Sequence, residues 1–185
     1  ASYHGGFDSY SNRIQVLVDG RSVYSPYFIG SIGPGLQTVA LEDIERIEVL
    51  RGSNSAAYGG RAFLGVINII TRDTVDTLGL QARLCAGENG IRDTQARIGW
   101  GQGLATFRLS ADRRADEGLQ GSNGHNQTDR VNLRADLRSD VDDEIQLRAG
   151  GLAITAGKGC SGVADNPLRD STFDSSYAQF DWKRT

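Results

Sequence analysis

The apolar and polar residues follow different patterns in the two parts of the chain. In the first part, apolar residues form short runs, such as the one from Ile14 to Val18 and the segment GVINIIT that begins at Gly65. The run at Ile14 predicts a strand that is covered on both faces. From about residue 75 onward, apolar and polar residues alternate, which predicts strands with one apolar and one polar face. We therefore predict a mainly β chain with two domains, residues 1–74 and 75–185.

Turn and helix signals complete the first domain. Asp19-Gly20 is a turn dipeptide, so the residues on either side of it are predicted to form a small hairpin. Glu42 and Asp43 favour one helical turn, because carboxylates are stabilised near the free amides of a helix N-terminus. A second helical turn is predicted over residues 54–58. The strand between these two turns is predicted to place its charged residues on one face. Those residues are Arg46, Glu48 and Arg51.

Six alternating strands are predicted in the second domain. Their apolar positions begin with Leu78 and Leu80 and end with Phe180 and Trp182, while arginines and aspartates recur on the polar faces. The links between strands are alternately short and long, as in outer-membrane barrels with brief periplasmic turns and longer outer loops. A soluble β-sandwich also alternates, so the strand pattern alone leaves both architectures open. The short links are residues 101–103 and 139–144, and the long ones are residues 117–129 and 157–175.

Composition and charge further limit the possible folds and partners of the chain. The 24 glycines and 3 prolines fit many short strands joined by turns. A net charge of -3 and a pI near 5.4 give no broad basic field, so nucleic acid is not expected as a partner. The chain has no methionine and stops within a strand pattern, and we therefore expect it to be a piece of a longer protein.

The chemistry-bearing residues do not form a recognisable catalytic or metal-binding motif. Cys85 and Cys160 lie far apart, so they are either two unrelated thiols or a disulfide formed in an oxidising periplasm. His4 and His125 have no metal-ligand neighbours in the sequence. No nucleophile with a base and no recognisable carboxylate pair occurs. We therefore expect neither an enzyme nor a bound cofactor.

Two linked motifs resemble a known family. Residues 39–73 read VALEDIERIEVLRGSNSAAYGGRAFLGVINIITRD, and the upstream segment VLVDGR covers residues 16–21. In this order the two segments resemble the plug domain of TonB-dependent outer-membrane receptors. The resemblance implies an α+β plug domain followed by an incomplete antiparallel transmembrane β-barrel, with about six of the roughly 22 strands of the family. In such a barrel the apolar strand faces meet lipid.

The resemblance also implies a contact that holds the plug in place. The family buries an arginine, here Arg51, where it pairs with glutamates of the barrel, and we assign Glu48 and Arg46 to the same plug–barrel lock. A second lock arginine of the family corresponds to Gly5 in this chain. Either another residue substitutes for it, with Arg13 the nearest candidate, or the plug is held more loosely.

Plug loops of the family contact the ligand, and the matching positions here carry aromatic and basic residues. Such side chains suit an anionic or aromatic ligand through charge and stacking. An alternative is that the aromatic residues merely pack within the plug. The candidate ligand-binding residues are Asn12, Arg13, Tyr24, Tyr27 and Phe28.

The function implied by the resemblance is energy-coupled uptake across the outer membrane of a Gram-negative bacterium. The expected partners are a TonB-type energy-transducing protein, an iron chelate or similar small ligand, and outer-membrane lipid. A ferric siderophore is the most frequent cargo of the family, with cobalamin, haem and glycans as alternatives. A soluble β-rich binding or adhesion module is the alternative from another class, and it would be recovered without detergent.

Overall fold

A computed structural model describes residues 13–24, 36–53, 55–118, 123–139, 143–160 and 165–184. The chain divides into two compact units, residues 1–72 and residues 73–185, and each is described by itself. In the described ranges, no helix has the length and apolar character needed to span a membrane.

The first unit contains a four-stranded sheet in the order β2-β1-β4-β3. Strands β1 and β4 are parallel, and the other neighbouring pairs are antiparallel. Every residue of β1 is buried, which confirms the prediction of a strand covered on both faces. The elements are β1 (Ile14–Val18), β2 (Arg21–Ser22), the 3-10 helix η1 (Leu41–Asp43), β3 (Ile44–Arg51), α1 (Ser55–Tyr58) and β4 (Gly65–Thr71).

The turn between β1 and β2 is fixed to the end of β4. Asp19 and Gly20 both have positive φ angles, 47° and 79°, as in the tight turns that suit a two-residue hairpin. The Asp19 carboxylate accepts hydrogen bonds from the amide and the hydroxyl of Thr71 at 2.9 and 2.7 Å. The predicted hairpin is confirmed, and the contact explains why the VLVDGR and GVINIIT segments occur together.

Apolar side chains pack on both faces of the two central strands, β1 and β4. Ile14, Val16 and Val18 pack on one face with Val23 and Ile69. On the other face, Leu17 and Val66 pack with Ala62. Because successive side chains of a strand point to opposite faces, the nearly continuous apolar run of β1 supplies both layers.

The second unit contains a six-stranded antiparallel sheet in the order β10-β9-β8-β7-β6-β5. Strands β5 and β10 are the edges, so in the described residues the six strands form an open sheet, as predicted. The strands lengthen from 8 residues in β5 to 16 in β10. Their bounds are β5 (Gly79–Ala86), β6 (Arg92–Gln102), β7 (Ala105–Asp116), β8 (Asn126–Arg138), β9 (Asp143–Lys158) and β10 (Arg169–Arg184), with the 3-10 helix η2 (Val75–Thr77) before β5.

One face of this second sheet is apolar and exposed, and we call it the apolar face. Leu80 of β5 is paired with Ile98 of β6, Ile98 with Leu109 of β7, and Leu109 with Leu133 of β8. These four side chains are 39–78% exposed. The intervening polar positions are the buried ones, and they include Arg108, Ser110, Asn132 and Arg134. This reverses the ordinary burial of a soluble protein.

The connections follow the predicted asymmetry, but two strands begin earlier than predicted. The links β6–β7 and β8–β9 are short, whereas β7–β8 and β9–β10 are longer and lie at the opposite end of the sheet. Strand β8 begins at Asn126 and β10 at Arg169, within the segments 117–129 and 157–175 that were predicted to be loops. Their first residues are polar on both faces, so no alternation marks them as strands, although backbone pairing continues there.

Candidate functional site

Basic side chains gather at one end of the sheet in the first unit, which we call the basic end. Arg13 precedes β1, and its carbonyl accepts a hydrogen bond from the Leu64 amide at 2.8 Å. Arg51, the last residue of β3, pairs with Gly65 at the start of β4. The basic end consists of Arg13, Tyr24, Arg51 and Arg61, and its three arginines are exposed.

Tyr24 and Arg61 form the ordered part of the basic end. The Tyr24 hydroxyl donates a hydrogen bond to the Ile14 carbonyl. The Arg61 guanidinium carbon lies 4.5 Å from the centre of the Tyr24 ring, in cation–π contact. Burial raises the pKa of Tyr24, and the positive charge of Arg61 acts in the opposite direction. Tyr24 therefore stays neutral at physiological pH and holds Arg61 by its ring face.

The backbone at this end tolerates little change. A Cβ atom at Gly65 would lie 2.7 Å from the Leu50 carbonyl oxygen, so that only glycine lets β4 begin this close to β3. Gly52 has a φ angle of 91°, which glycine adopts at no steric cost. These two glycines bring Arg51 and the chain leading from Arg61 to the same end of the sheet.

Chemically, the basic end offers guanidinium donors and one aromatic ring. Guanidinium groups bind carboxylate and phosphate oxygens in a bidentate geometry and also stack on aromatic rings. The arrangement therefore suits a ligand that carries negative charge and flat aromatic or conjugated groups.

The sequence-predicted ligand residues are only partly described by the structure. Arg13 and Tyr24 lie at the same end of the sheet, since Tyr24 bonds to the residue that follows Arg13. Asn12, Tyr27 and Phe28 lie outside the described residues. Sequence reasoning missed Arg61. The signal that could have found it is an arginine directly after Gly59-Gly60, where the chain turns back toward β4.

The predicted single charged face of β3 is wrong for Arg51. Arg46 and Glu48 lie on one face, but Arg51 lies on the other face with Ile47 and Val49. The reason is the period of two, because Arg51 is separated from Glu48 by an odd number of positions. The plug–barrel lock assigned to these residues stays a prediction.

Arg46 and Glu48 are paired with each other on the surface of the first unit. The Arg46 guanidinium donates to Glu48 at 2.9 Å and to Glu45 at 2.8 Å. The hydrogen bond to Glu48 is the main reason that the pKa of Arg46 is raised. Because both partners are exposed, this pairing contributes little to stability.

Arginines and aspartates on the polar face of the second sheet form ion pairs with each other. Arg130 donates from Nε to both carboxylate oxygens of Asp112, at 2.9 and 3.0 Å, and both residues are buried. Arg148 pairs with Asp181 across β9 and β10 at 2.5 Å. Such pairing is what allows these cations to be buried, since an unpaired buried charge costs several kcal/mol.

The cysteines are both free and exposed. Cys85 lies in β5, and Cys160 follows β9, so the two are separated by about four inter-strand spacings of roughly 4.8 Å each. That separation exceeds the reach of a disulfide, and the sheet therefore favours two unrelated thiols. In the described ranges, no group of three or more histidine, cysteine or carboxylate residues could hold a metal ion.

The tryptophans lie on the apolar face near the short-link end of the second sheet. Trp100 stacks on Phe107 with 5.6 Å between ring centres. Trp182 donates its indole N–H to Asp143 at 3.1 Å. Both indoles are partly exposed, and the Asp143 contact gives Trp182 the mixed polar and apolar setting that tryptophan favours at a membrane interface.

Comparison with known proteins gives a consistent result for the first unit. Residues 3–66 match the sequence model of the TonB-dependent Receptor Plug Domain family. The chain is 48% identical over 66 residues to an iron-regulated outer membrane virulence protein of Vibrio cholerae serotype O1. The aligned segment covers 34% of this chain and 10% of the relative. The chain is also 34% identical over 88 residues to the vitamin B12 transporter BtuB of Vibrio vulnificus. This segment covers 48% of this chain and 14% of the relative.

A solved structure extends the likeness to the second unit. The ferric yersiniabactin uptake receptor FyuA of Yersinia pestis superposes with a TM-score of 0.74 at 17% identity, over 95% of this chain and 30% of that one. At this identity the likeness shows the fold alone. The chain thus spans less than a third of the length of the solved relative and a smaller share of the curated ones.

Proposed function

Because the chain belongs to the TonB-dependent receptor family, we propose that the protein carrying it takes up a scarce nutrient across the outer membrane in an energy-coupled manner. The ferric complex of a siderophore is the proposed cargo. The observation that carries this proposal is the plug-domain match over residues 3–66, joined to a second sheet with an exposed apolar face.

The protein lies in the outer membrane of a Gram-negative bacterium, as do the relatives whose names state their location. Hydrocarbon would cover the apolar face of the second sheet. Burying exposed leucines there is favourable by roughly 25 cal/mol per Å² of apolar surface removed from water. In water the same face would be an aggregation surface.

The basic end of the first unit is the proposed ligand contact. Ferric siderophore complexes commonly carry negative charge and aromatic or conjugated iron-binding groups, which match the guanidinium groups of Arg13 and Arg61 and the ring of Tyr24. Asn12, Tyr27 and Phe28 are proposed to contribute from the neighbouring loops. The relatives support an iron cargo, since one is named as iron-regulated and another as a ferric yersiniabactin receptor.

A TonB-type protein of the inner membrane is the proposed energy source. It would bind the full receptor and pull on the plug. Arg51, with Glu48 and Arg46, is proposed to hold the plug until that force is applied.

Cobalamin uptake is a second candidate, favoured by the 34% identity to a vitamin B12 transporter over 88 residues. Haem and glycans would use the same mechanism. Flat, conjugated haem would suit the tyrosine ring and arginines at the basic end, whereas an uncharged glycan would make little use of the arginines.

The test is uptake by the full-length protein in a Gram-negative strain that lacks its own iron and cobalamin receptors. Cells are offered radioactive iron as catecholate, hydroxamate or phenolate complexes, labelled cobalamin, or haem. We expect accumulation of one ferric complex, and its loss in an otherwise identical strain without TonB.

Two matched variants locate the ligand contact. Arg61→Gln should weaken ligand binding to cells by about tenfold or more, because a charge-assisted hydrogen bond contributes roughly 1.5–3 kcal/mol. Arg72→Gln is the matched control, with unchanged ligand binding, because Arg72 is exposed and directly follows β4, at the opposite end of that strand from Gly65. Recovery of the full-length protein as a soluble species without detergent would contradict the proposed function and favour a soluble β-rich module.

A further inference from the structure

The first residues of the second unit are fixed to the polar face of its own sheet. Asp73 forms an ion pair with Arg134 of β8. The Arg134 side chain is 4% exposed, and its Nε also donates to Asp136 at 2.9 Å. The buried guanidinium of Arg134 therefore binds Asp73, just after the first unit, to strand β8. It also binds Asp136, the next residue on the same face of β8.

Thr74 is the centre of this attachment. It is fully buried, and both its amide and its hydroxyl donate to the same Asp136 oxygen, at 3.0 and 2.7 Å. Its hydroxyl oxygen also lies 2.5 Å from that of Thr106 on β7. All polar atoms of this buried threonine are hydrogen-bonded. Pulling it away is costly, because all of these hydrogen bonds would be lost at once.

The turn that follows is fitted to β6. The Thr77 amide and hydroxyl both bond to the Thr74 carbonyl, at 3.1 Å each, which closes η2. A Cβ atom at Gly99 would collide with the Thr77 carbonyl oxygen. Glycine at position 99 therefore lets this turn lie against the strand, and the attachment extends across β6, β7 and β8.

The attachment begins immediately after the first unit ends. The Arg72 amide donates to the Asp43 carbonyl at 2.8 Å, within the first unit. The next residue, Asp73, is already bonded to Arg134. Arg72 and Asp73 are joined by one peptide bond, so a force that pulls on Arg72 would act directly on Asp73.

We propose that Asp73, Thr74, Thr106, Arg134 and Asp136 form a wall clamp that stays closed during transport, so that plug movement stops at residue 72. The clamp anchors the plug's C-terminal end to the barrel wall and makes the residues before Asp73 the only part that is displaced. This inference rests on the proposed function, because it assigns a role within the same transport step.

Thiol labelling in cells tests the clamp. In full-length receptor with Cys85→Ser and Cys160→Ser, Thr74→Cys places a thiol at the fully buried position, and Val75→Cys places one at the neighbouring position, which is 58% exposed. A membrane-permeant maleimide is applied with and without ligand, in strains with and without TonB. We expect the thiol at residue 74 to react at least about tenfold more slowly than the one at residue 75 in all four conditions.

The outcomes separate three cases. Labelling at residue 74 that rises during uptake, and only with ligand and TonB present, would overturn the proposal, because the clamp would open in transport. Equal labelling at both positions without ligand would show that the clamp does not form. Absence of uptake by the unmodified receptor would instead contradict the proposed function, while the labelling ratio would still report on the clamp.

A crosslink provides the second measurement. Thr74→Cys with Thr106→Cys replaces the two hydroxyls that lie 2.5 Å apart, close enough for a disulfide after a small side-chain rotation. If the clamp stays closed during transport, oxidised and reduced receptor should take up ligand at rates within about twofold of each other. Loss of uptake on oxidation, restored by dithiothreitol, would contradict the proposal.

Discussion

At the scale of single residues, Asp19 joins the two sequence motifs of the first unit. Its backbone takes a positive φ angle of 47°, and its carboxylate binds both polar groups of Thr71. Aspartate tolerates such a backbone better than most residues, and its side chain reaches a neighbouring amide. The dipeptide Asp19-Gly20 therefore sets both the turn and its attachment to β4.

Replacing Asp19 by alanine should loosen the end of β4. Two charge-assisted hydrogen bonds are lost and alanine is strained at positive φ, for a cost of about 2–4 kcal/mol in local opening. Amide hydrogen exchange of β4 in the full-length receptor measures this opening. Asp19→Asn keeps one acceptor and tolerates the φ angle, so it should show a smaller effect. Equal exchange in wild type and Asp19→Ala would refute the role assigned to the carboxylate.

Gly65→Ala should also destabilise the first unit, for a different reason. Its Cβ atom would lie 2.7 Å from the Leu50 carbonyl oxygen, which forces β3 and β4 apart at a cost of about 1–3 kcal/mol. Gly60→Ala is the control, because nothing lies within 4 Å of a Cβ atom there. Protease resistance of β3 in the full-length receptor should fall for Gly65→Ala alone. A loss of the same size in both variants would contradict the close approach.

At the scale of elements, the alternating residues of the second unit predicted its strands because one face is apolar over most of its length. Prediction failed at the first residues of β8 and β10, where both faces are polar and only backbone pairing defines the strand. It also failed for Arg51, which lies three positions after Glu48. Because side chains alternate between the two faces of a strand, Arg51 and Glu48 lie on opposite faces. The clamp at Thr74 was not predicted, because its partners lie 32 and 62 residues away in the sequence.

Neighbouring positions on β5 separate the two faces of the second sheet experimentally. Leu80 is 78% exposed on the apolar face, and the adjacent Gln81 lies on the polar face. Leu80→Arg should cost more than Gln81→Arg, because an arginine on the lipid face of a barrel strand costs up to about 4 kcal/mol, depending on its depth in the bilayer. Unfolding of the full-length receptor in urea from lipid vesicles measures both. Similar losses in both variants would mean that lipid does not contact the Leu80 face.

At the scale of the whole molecule, the assignment depends on what covers the apolar face of the second sheet. Its exposed leucines form rows across several strands, whereas most of the described side chains that are buried in the same sheet are polar or charged. A soluble protein of this design would expose its hydrophobic residues and bury its charges. In a membrane the same distribution is favourable, because hydrocarbon meets the leucines and the charges pair away from it.

Spin labels along β8 test this claim most directly. Single cysteines at positions 131 to 134 of full-length receptor lacking Cys85 and Cys160 are labelled in lipid vesicles, and collisions with oxygen and with a water-soluble nickel chelate are measured. We predict high oxygen and low nickel accessibility at positions 131 and 133, and low oxygen accessibility at 132 and 134. Low accessibility of positions 131 and 133 to both reagents would mean that protein covers this face, and it would contradict the account.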